Sequence, residues 1–221
     1  MEKKTNKMQL LFMVLIASVA WAGVVLQFYI VTGNWAGLGL SPIEGTIRLF
    51  SYFTILTNII VALSITFILL RPQSKFGIFF RSDSNQTAIA MYIFIVGLVY
   101  NLILRKLWSP EGLQLIVDNI LHSIVPLLFV IYWLVYIPKQ KMPWIKAINW
   151  LTYPALYFAW VLLFGFITRF YPYPFLDVNV LGYPKMFMHA GILLIVFLVL
   201  GFGAIAIKKV VGKNATVSSQ L

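Results

Sequence analysis

The sequence predicts an all-α, polytopic membrane protein: a six-transmembrane-helix bundle with both termini in the cytoplasm. Three observations carry that prediction. The 221 residues are 61% hydrophobic and 10% charged, with a mean hydropathy of +0.91, too little polar surface to solvate a folded soluble domain. The apolar residues gather into runs of about 20 or more, the length that spans a hydrocarbon layer. The basic residues cluster in alternate connections between those runs.

Breaks at Pro, Gly and Lys divide the apolar sequence into spans at about 8–31, 46–70, 87–104, 113–137, 144–168 and 185–207. Helices of this length satisfy their backbone polar groups internally, as hydrocarbon requires. Little sequence is left over, so residues 1–221 read as a single membrane domain. The first run resembles a signal peptide, but its length and the lack of an A-x-A-type site after it predict an uncleaved span.

Charge sets the orientation. Lys3, Lys4, Lys7, Arg71, Lys75, Arg81, Lys139, Lys141, Lys146, Lys208, Lys209 and Lys213 fall on one side, with only Glu2 and Asp83 opposing them. The other side holds Arg48, Arg105, Lys106, Arg169 and Lys185, nearly balanced by Glu44, Glu111, Asp118 and Asp177. The positive-inside rule then places both ends in the cytoplasm, and an even number of spans agrees. The net charge of +11 would suit nucleic acid, but its distribution argues against that partner and for membrane lipids. A multi-pass protein of the cell membrane follows. Nothing in the sequence sets an oligomeric state.

The ends of the second and fourth spans look alike. Ser41-Pro42 and Ser109-Pro110 each supply an N-cap followed by a proline suited to a first helical turn, and Glu44 completes a capping box with Ser41. Both starts face outward, so the two helices run parallel. Pro126 and Pro154 are expected to bend the fourth and fifth spans. The stretch Tyr171-Pro172-Tyr173-Pro174-Phe175-Leu176-Asp177 is expected to be extended, as an interfacial aromatic belt or a lid. A polar tail, read as disordered, begins at Lys213.

Polar residues inside a span are costly and mark function or helix contacts. Ser51, Thr54 and Asn58 share one helical face by their spacing, with Thr57 beside it. Asn101 and Arg105 lie one turn apart at the end of the third span. Asp118, Asn119 and His122 lie on the fourth, and His189 opens the sixth. Most of these fall in the outer half, which predicts an outward-facing polar pocket above a greasy inner half. Thr54 and His122 each lie 13 residues after Ser41 and Ser109, about 20 Å along parallel helices at 1.5 Å per residue. Matching depth lets a hydroxyl meet an imidazole.

Such a pair suits ester cleavage. Thr54 would be the nucleophile and His122 the base that takes its proton and returns it to the leaving group. Asp118, one turn before His122, would fix the tautomer. Thr57, Asn58, Asn101, Arg105 and His189 are candidate substrate-binding residues. The simpler alternatives are a threonine bonded to its own i−4 carbonyl or to a neighbouring helix, and, separately, an Asp118 paired with Arg105 or Lys106. Two other functions fit the same residues: a small transporter or lipid-binding protein using the polar pocket, and a bis-histidine haem protein ligated by His122 and His189. The absence of cysteine removes thiolate metal sites and disulfides. No cofactor or metal is implied, and no Walker, H-E-x-x-H or G-x-S-x-G pattern stands at a usable position.

Three stretches in order resemble the androgen-induced protein family: Phe53-Thr54-Ile55-Leu56-Thr57, Leu121-His122 followed by Val125-Pro126, and Tyr173-Pro174-Phe175-Leu176-Asp177. Members of that family are multi-spanning hydrolases of fatty acid esters of hydroxy fatty acids, with an essential intramembrane Thr and His. The resemblance covers most of the chain in span order and is that of a bacterial-type relative. It implies Thr54 and His122 as the catalytic pair and a lipid or fatty-acid ester as substrate. Thr57 stands where animal members usually carry an acid, and the His122-to-Pro126 spacing is one residue shorter than theirs. His189 has no counterpart.

Overall fold

A computed structural model describes residues 6–137 and 142–217, without the side chains of 211–217. Lys3, Lys4, Lys139, Lys141 and Glu2, which enter the charge asymmetry, lie outside the described residues, as does the Lys213 side chain. Every regular element among the described residues is helical. Among the described residues, six helical segments are long and apolar enough to cross a membrane: Lys7–Gly37, Phe53–Leu70, Asp83–Lys106, Gly112–Tyr136, Ile145–Thr168 and Val178–Val210. The chain divides into two compact units, Met1–Ile137 and Pro138–Leu221.

In the first unit, α1 (Lys7–Gly37) is capped by Asn6, whose side chain accepts from the Gln9 N–H at 2.7 Å. The second predicted span is two helices, α2 (Pro42–Leu49) and α3 (Phe53–Leu70), separated at Phe50–Tyr52. Ser41 makes no side-chain cap bond. Glu44 turns instead to Arg48 at 2.5 Å, an i,i+4 pair, so the expected capping box does not form. The guanidinium of Arg48 also lies 5.1 Å over the Trp35 ring, tying α2 to the end of α1.

A short helix α4 (Lys75–Arg81), capped by Ser74, leads into α5 (Asp83–Leu102), capped by Ser82. A single 3₁₀ turn, Leu104–Lys106, ends that span. The fourth span begins at Gly112 with Glu111 as the cap residue, so Ser109-Pro110 lies ahead of the helix. It comprises α6 (Gly112–Asn119), a π-helical turn at Ile120–Ile124, and α7 (Val125–Tyr136). Val24, Leu49, Ile55, Val117 and Leu121 form one buried apolar cluster, drawing on α1, α2, α3, α6 and the π turn. Outward faces such as Val14, Val25, Leu127 and Val135 are exposed, as for helices solvated by lipid.

The half expected to be largely Leu, Ile, Val and Phe also holds buried polar groups. Ser64, Gln86 and Thr87 are buried near the α3–α5 connection. Gln86 donates to the Phe80 carbonyl at 2.7 Å, and Trp133 Nε1 donates to Thr87 Oγ1 at 3.0 Å. The Gln86 and Thr87 bonds tie helices together, the bland use of a polar side chain in hydrocarbon, while Ser64 donates to the Val61 carbonyl of its own helix.

In the second unit, α8 (Ile145–Asn149) and α9 (Thr152–Thr168) are separated at Trp150–Leu151. Pro154 explains the break. It has no N–H for the Trp150 carbonyl and its ring would crowd that oxygen. It therefore sits in the first turn of α9 and does not bend a helix interior. The aromatic stretch after α9 contains a 3₁₀ turn, Pro174–Leu176, with Tyr173 and Phe175 stacked at 5.2 Å. The last helix, α10 (Val178–Val217), breaks at Gly182, whose φ of 70° favours glycine. It continues past Lys213 into the predicted tail.

Candidate functional site

The fourth span shows how one residue organises a site. Pro126 has no N–H, so in a regular α-helix the His122 carbonyl would lose its partner and meet the proline ring. The chain widens into a π turn there instead, with the Val125 N–H bonding the Ile120 carbonyl. That choice leaves the Leu121 carbonyl without an intrahelical donor. Val125 is taken, and the next residue is proline. Two asparagines from neighbouring helices make up the deficit. Asn58 Nδ2 donates to the Leu121 carbonyl at 3.1 Å, and Asn101 Nδ2 to the His122 carbonyl at 3.3 Å. A π turn inside an α-helix often marks a functional site.

Small residues let the neighbours come close. A Cβ on Gly97 of α5 would lie 3.1 Å from Pro126 Cβ and 3.2 Å from the His122 carbonyl oxygen; one on Gly23 of α1 would lie 2.7 Å from Ile120 Cγ2. Replacing Gly97 by valine is expected to destabilise the protein by about 2 kcal/mol, since overpacking a filled contact typically costs that much. Denaturant unfolding in mixed micelles measures it.

His122 and Asp118 are together. The imidazole Nδ1 is 2.9 Å from the Asp118 backbone oxygen and 3.2 Å from its carboxylate Oδ1. Both partners are acceptors, so Nδ1 carries a proton, and in the neutral form of the ring the bare nitrogen is Nε2. The two side chains are 15% and 6% exposed. The other carboxylate oxygen, Oδ2, accepts from the hydroxyl of Tyr100 on α5. The Tyr100 ring stacks on the imidazole with centroids 3.9 Å apart and planes 15° from parallel.

Thr54 is the second residue of α3 and is buried. The helix break before α3 places it in a first turn, so it does not lie 20 Å along a continuous helix. The depth relation to the fourth span is nevertheless set by Asn58. Its Nδ2 donates to the Thr54 carbonyl at 2.8 Å as well as to that of Leu121. One amide nitrogen thus joins the Thr54 turn to the residue beside His122, and α3 and the fourth span are direct neighbours. Thr57 is fully buried on α3, and Ser51 lies in the break, where its hydroxyl donates to the Ile47 carbonyl at 3.0 Å.

The remaining predicted residues divide. Asn101 also donates to the Gly97 carbonyl at 2.9 Å, and Arg105 donates to Asn101 Oδ1 at 3.1 Å. The hydrogen-bonding partners of Asp118 are thus His122 and Tyr100, while Arg105 turns to Asn101. Both Asn101 and Arg105 are exposed. Asn58 Nδ2 is committed to two carbonyls, and Asn58 Oδ1 is buried without a partner. Exchanging O and N would set an oxygen against both carbonyls, so the orientation of that amide is fixed. Asn119 bonds its own i−4 carbonyl, that of Leu115. His189, in the second unit, places Nδ1 3.0 Å from the Phe175 carbonyl and so pins the aromatic stretch to α10.

Sequence reasoning missed Tyr100 and the π turn. The signal for the turn was present: a proline four residues after a histidine. The signal for Tyr100 was only a hydroxyl next to Asn101 in an aromatic-rich span. No family model, curated protein or solved structure matches the chain.

Proposed function

We propose that the protein is a multi-pass hydrolase of the cell membrane, with both termini cytoplasmic, that cleaves a lipid ester admitted from the outer leaflet. The observation that carries this reading is the state of His122. Its Nδ1 is held by Asp118 and its Nε2 is left to accept a proton, in a turn joined to that of Thr54 by the Asn58 amide.

The chemistry runs in two halves. Thr54 Oγ1 attacks the ester carbonyl while His122 Nε2 takes its proton, and the Asp118 carboxylate balances the imidazolium. The imidazolium gives that proton to the departing oxygen, so an alcohol leaves and the acyl group stays on Thr54. Water then yields a proton to His122 and attacks the acyl carbon. Thr54 departs reprotonated, and a fatty acid is released. The N-terminal end of α3, where Thr54 sits, carries the positive pole of the helix dipole and favours the oxyanion. That pole takes the oxyanion role from Asn58, whose donors are spent. Arg105, exposed and hydrogen-bonded to Asn101, remains the residue to contact substrate, while Thr57 is fully buried. The resemblance to the androgen-induced protein family makes a fatty acid ester of a hydroxy fatty acid the substrate of choice.

A second reading, a small transporter, is favoured by the hydrogen-bonded chain Tyr100–Asp118–His122, a suitable proton carrier inside a membrane. A fluorophosphonate separates the two, because it reacts only with an activated hydroxyl. The expected result is one covalent adduct, mapped by peptide mass spectrometry to Thr54 and lost on heat denaturation. Failure to label, together with no turnover of acyl esters by the purified protein, overturns the hydrolase.

A further inference from the structure

We propose that Tyr100 is the positioning residue that holds Asp118 and His122 in working register, a role resting on the hydrolase reading for its kinetic consequence but not for its geometry. Two separate contacts support it. The hydroxyl donates to Asp118 Oδ2, while the ring lies flat on the imidazole at 3.9 Å.

The carboxylate needs both of its hydrogen bonds. Asp118 is 5% exposed, and an ionised carboxylate away from water is tolerated only when its oxygens are satisfied. His122 serves Oδ1 and Tyr100 serves Oδ2, so the two donors fix the carboxylate plane between them. Without the Tyr100 hydroxyl, Oδ2 has no remaining donor from α5, and the carboxylate rotates to share the His122 proton between its oxygens. The stacked ring acts on the other partner. It blocks the imidazole from turning about χ2 and presents a π face to the cation formed during proton transfer. Tyr100 and Asn101 are consecutive on α5, so one helix fixes both the side chain of His122 and its carbonyl.

Tyr100→Phe keeps the ring and removes the hydroxyl. Its kcat for ester hydrolysis is expected to fall about tenfold, the worth of one charge-assisted hydrogen bond, with KM within about twofold because the substrate is untouched. Tyr100→Leu removes the stack as well and is expected to lose more. The chain has two histidines, which provides a readout independent of activity. In protein labelled with ¹⁵N-histidine, His122→Ala identifies the His122 signals and His189 serves as internal control. The wild type is expected to show His122 protonated at Nδ1. Tyr100→Phe is expected to move the His122 Nδ1–H signal as its carboxylate partner rotates, Tyr100→Leu, which frees the ring to turn, to give mixed tautomers, and both to leave His189 unchanged. His122 signals in both Tyr100 variants identical to wild type would overturn the role of Tyr100, whatever the activity. If the spectra change as expected but His122→Ala still hydrolyses ester at the wild-type rate, the hydrolase reading fails and the positioning contact stands. Should Tyr100→Phe not fold, shown by loss of its thermal transition, the same spectra of Tyr100→Leu decide.

Discussion

Replacing His122 by alanine is expected to lower ester hydrolysis by about 10³-fold or more, the contribution of a positioned base in a nucleophile–base pair. A threonine hydroxyl barely ionises at neutral pH, so attack waits on a group that takes its proton as the bond forms. Within the first unit, His122 meets the conditions for such a group. It is held at Nδ1, bare at Nε2 and close to a buried carboxylate. Thr54→Ala is expected to fall equally far. The double variant is expected to be no worse than either single one, because residues that act as one unit lose their function together. Steady-state turnover of acyl esters in detergent measures all three. Wild-type-like rates from both single variants would sink the assignment.

The largest effect on stability is expected at Asn58. Asn58→Leu leaves the Leu121 carbonyl without a donor in a buried, water-poor contact, at a cost of about 3 kcal/mol. The Thr54 carbonyl loses a second donor, and the link from α3 to the π turn disappears. The cause lies at Pro126, so the remedy does too. Adding Pro126→Ala to Asn58→Leu restores an N–H in the fourth span and is expected to recover part of the loss. Unfolding free energies of the two single variants and the double variant give the coupling directly. Additive effects would show that the proline and the asparagine do not serve one deficit.

How much of this could be read beforehand depends on the kind of force involved. The six long segments follow from hydropathy alone, because burying apolar surface needs no particular partner. The pairing of Asp118 with His122 is also local, set by one helical turn. The break at Phe50–Tyr52 was not legible. It contains no Pro or Gly, and Ser41-Pro42 reads equally well as the start of one long helix or of a short one. Ser109-Pro110 failed for a related reason: cap residues state a preference, and Glu111 and Gly112 took the position instead. Tyr100 was hidden because an aromatic in an apolar run carries no periodic mark. Only the packing of α5 against the fourth span gives its hydroxyl a target. The roles of Asn58 and Asn101 followed from the same cause. Their donors go to carbonyls that a straight helix would have kept for itself.

The length of α1 has its own consequence. At 31 residues it is about 46 Å long, given 1.5 Å per residue, against a hydrocarbon core of about 30 Å. A helix with that excess must lean or protrude, and each ångström of misfit carries a small cost. Trp35, near the far end, is held under Arg48 of α2, so α2 travels with that tip. Bilayer thickness is therefore expected to reach α2 through the tilt of α1. In vesicles of thinner lipids the tip would stand clear of the surface, taking with it the helix that precedes Thr54.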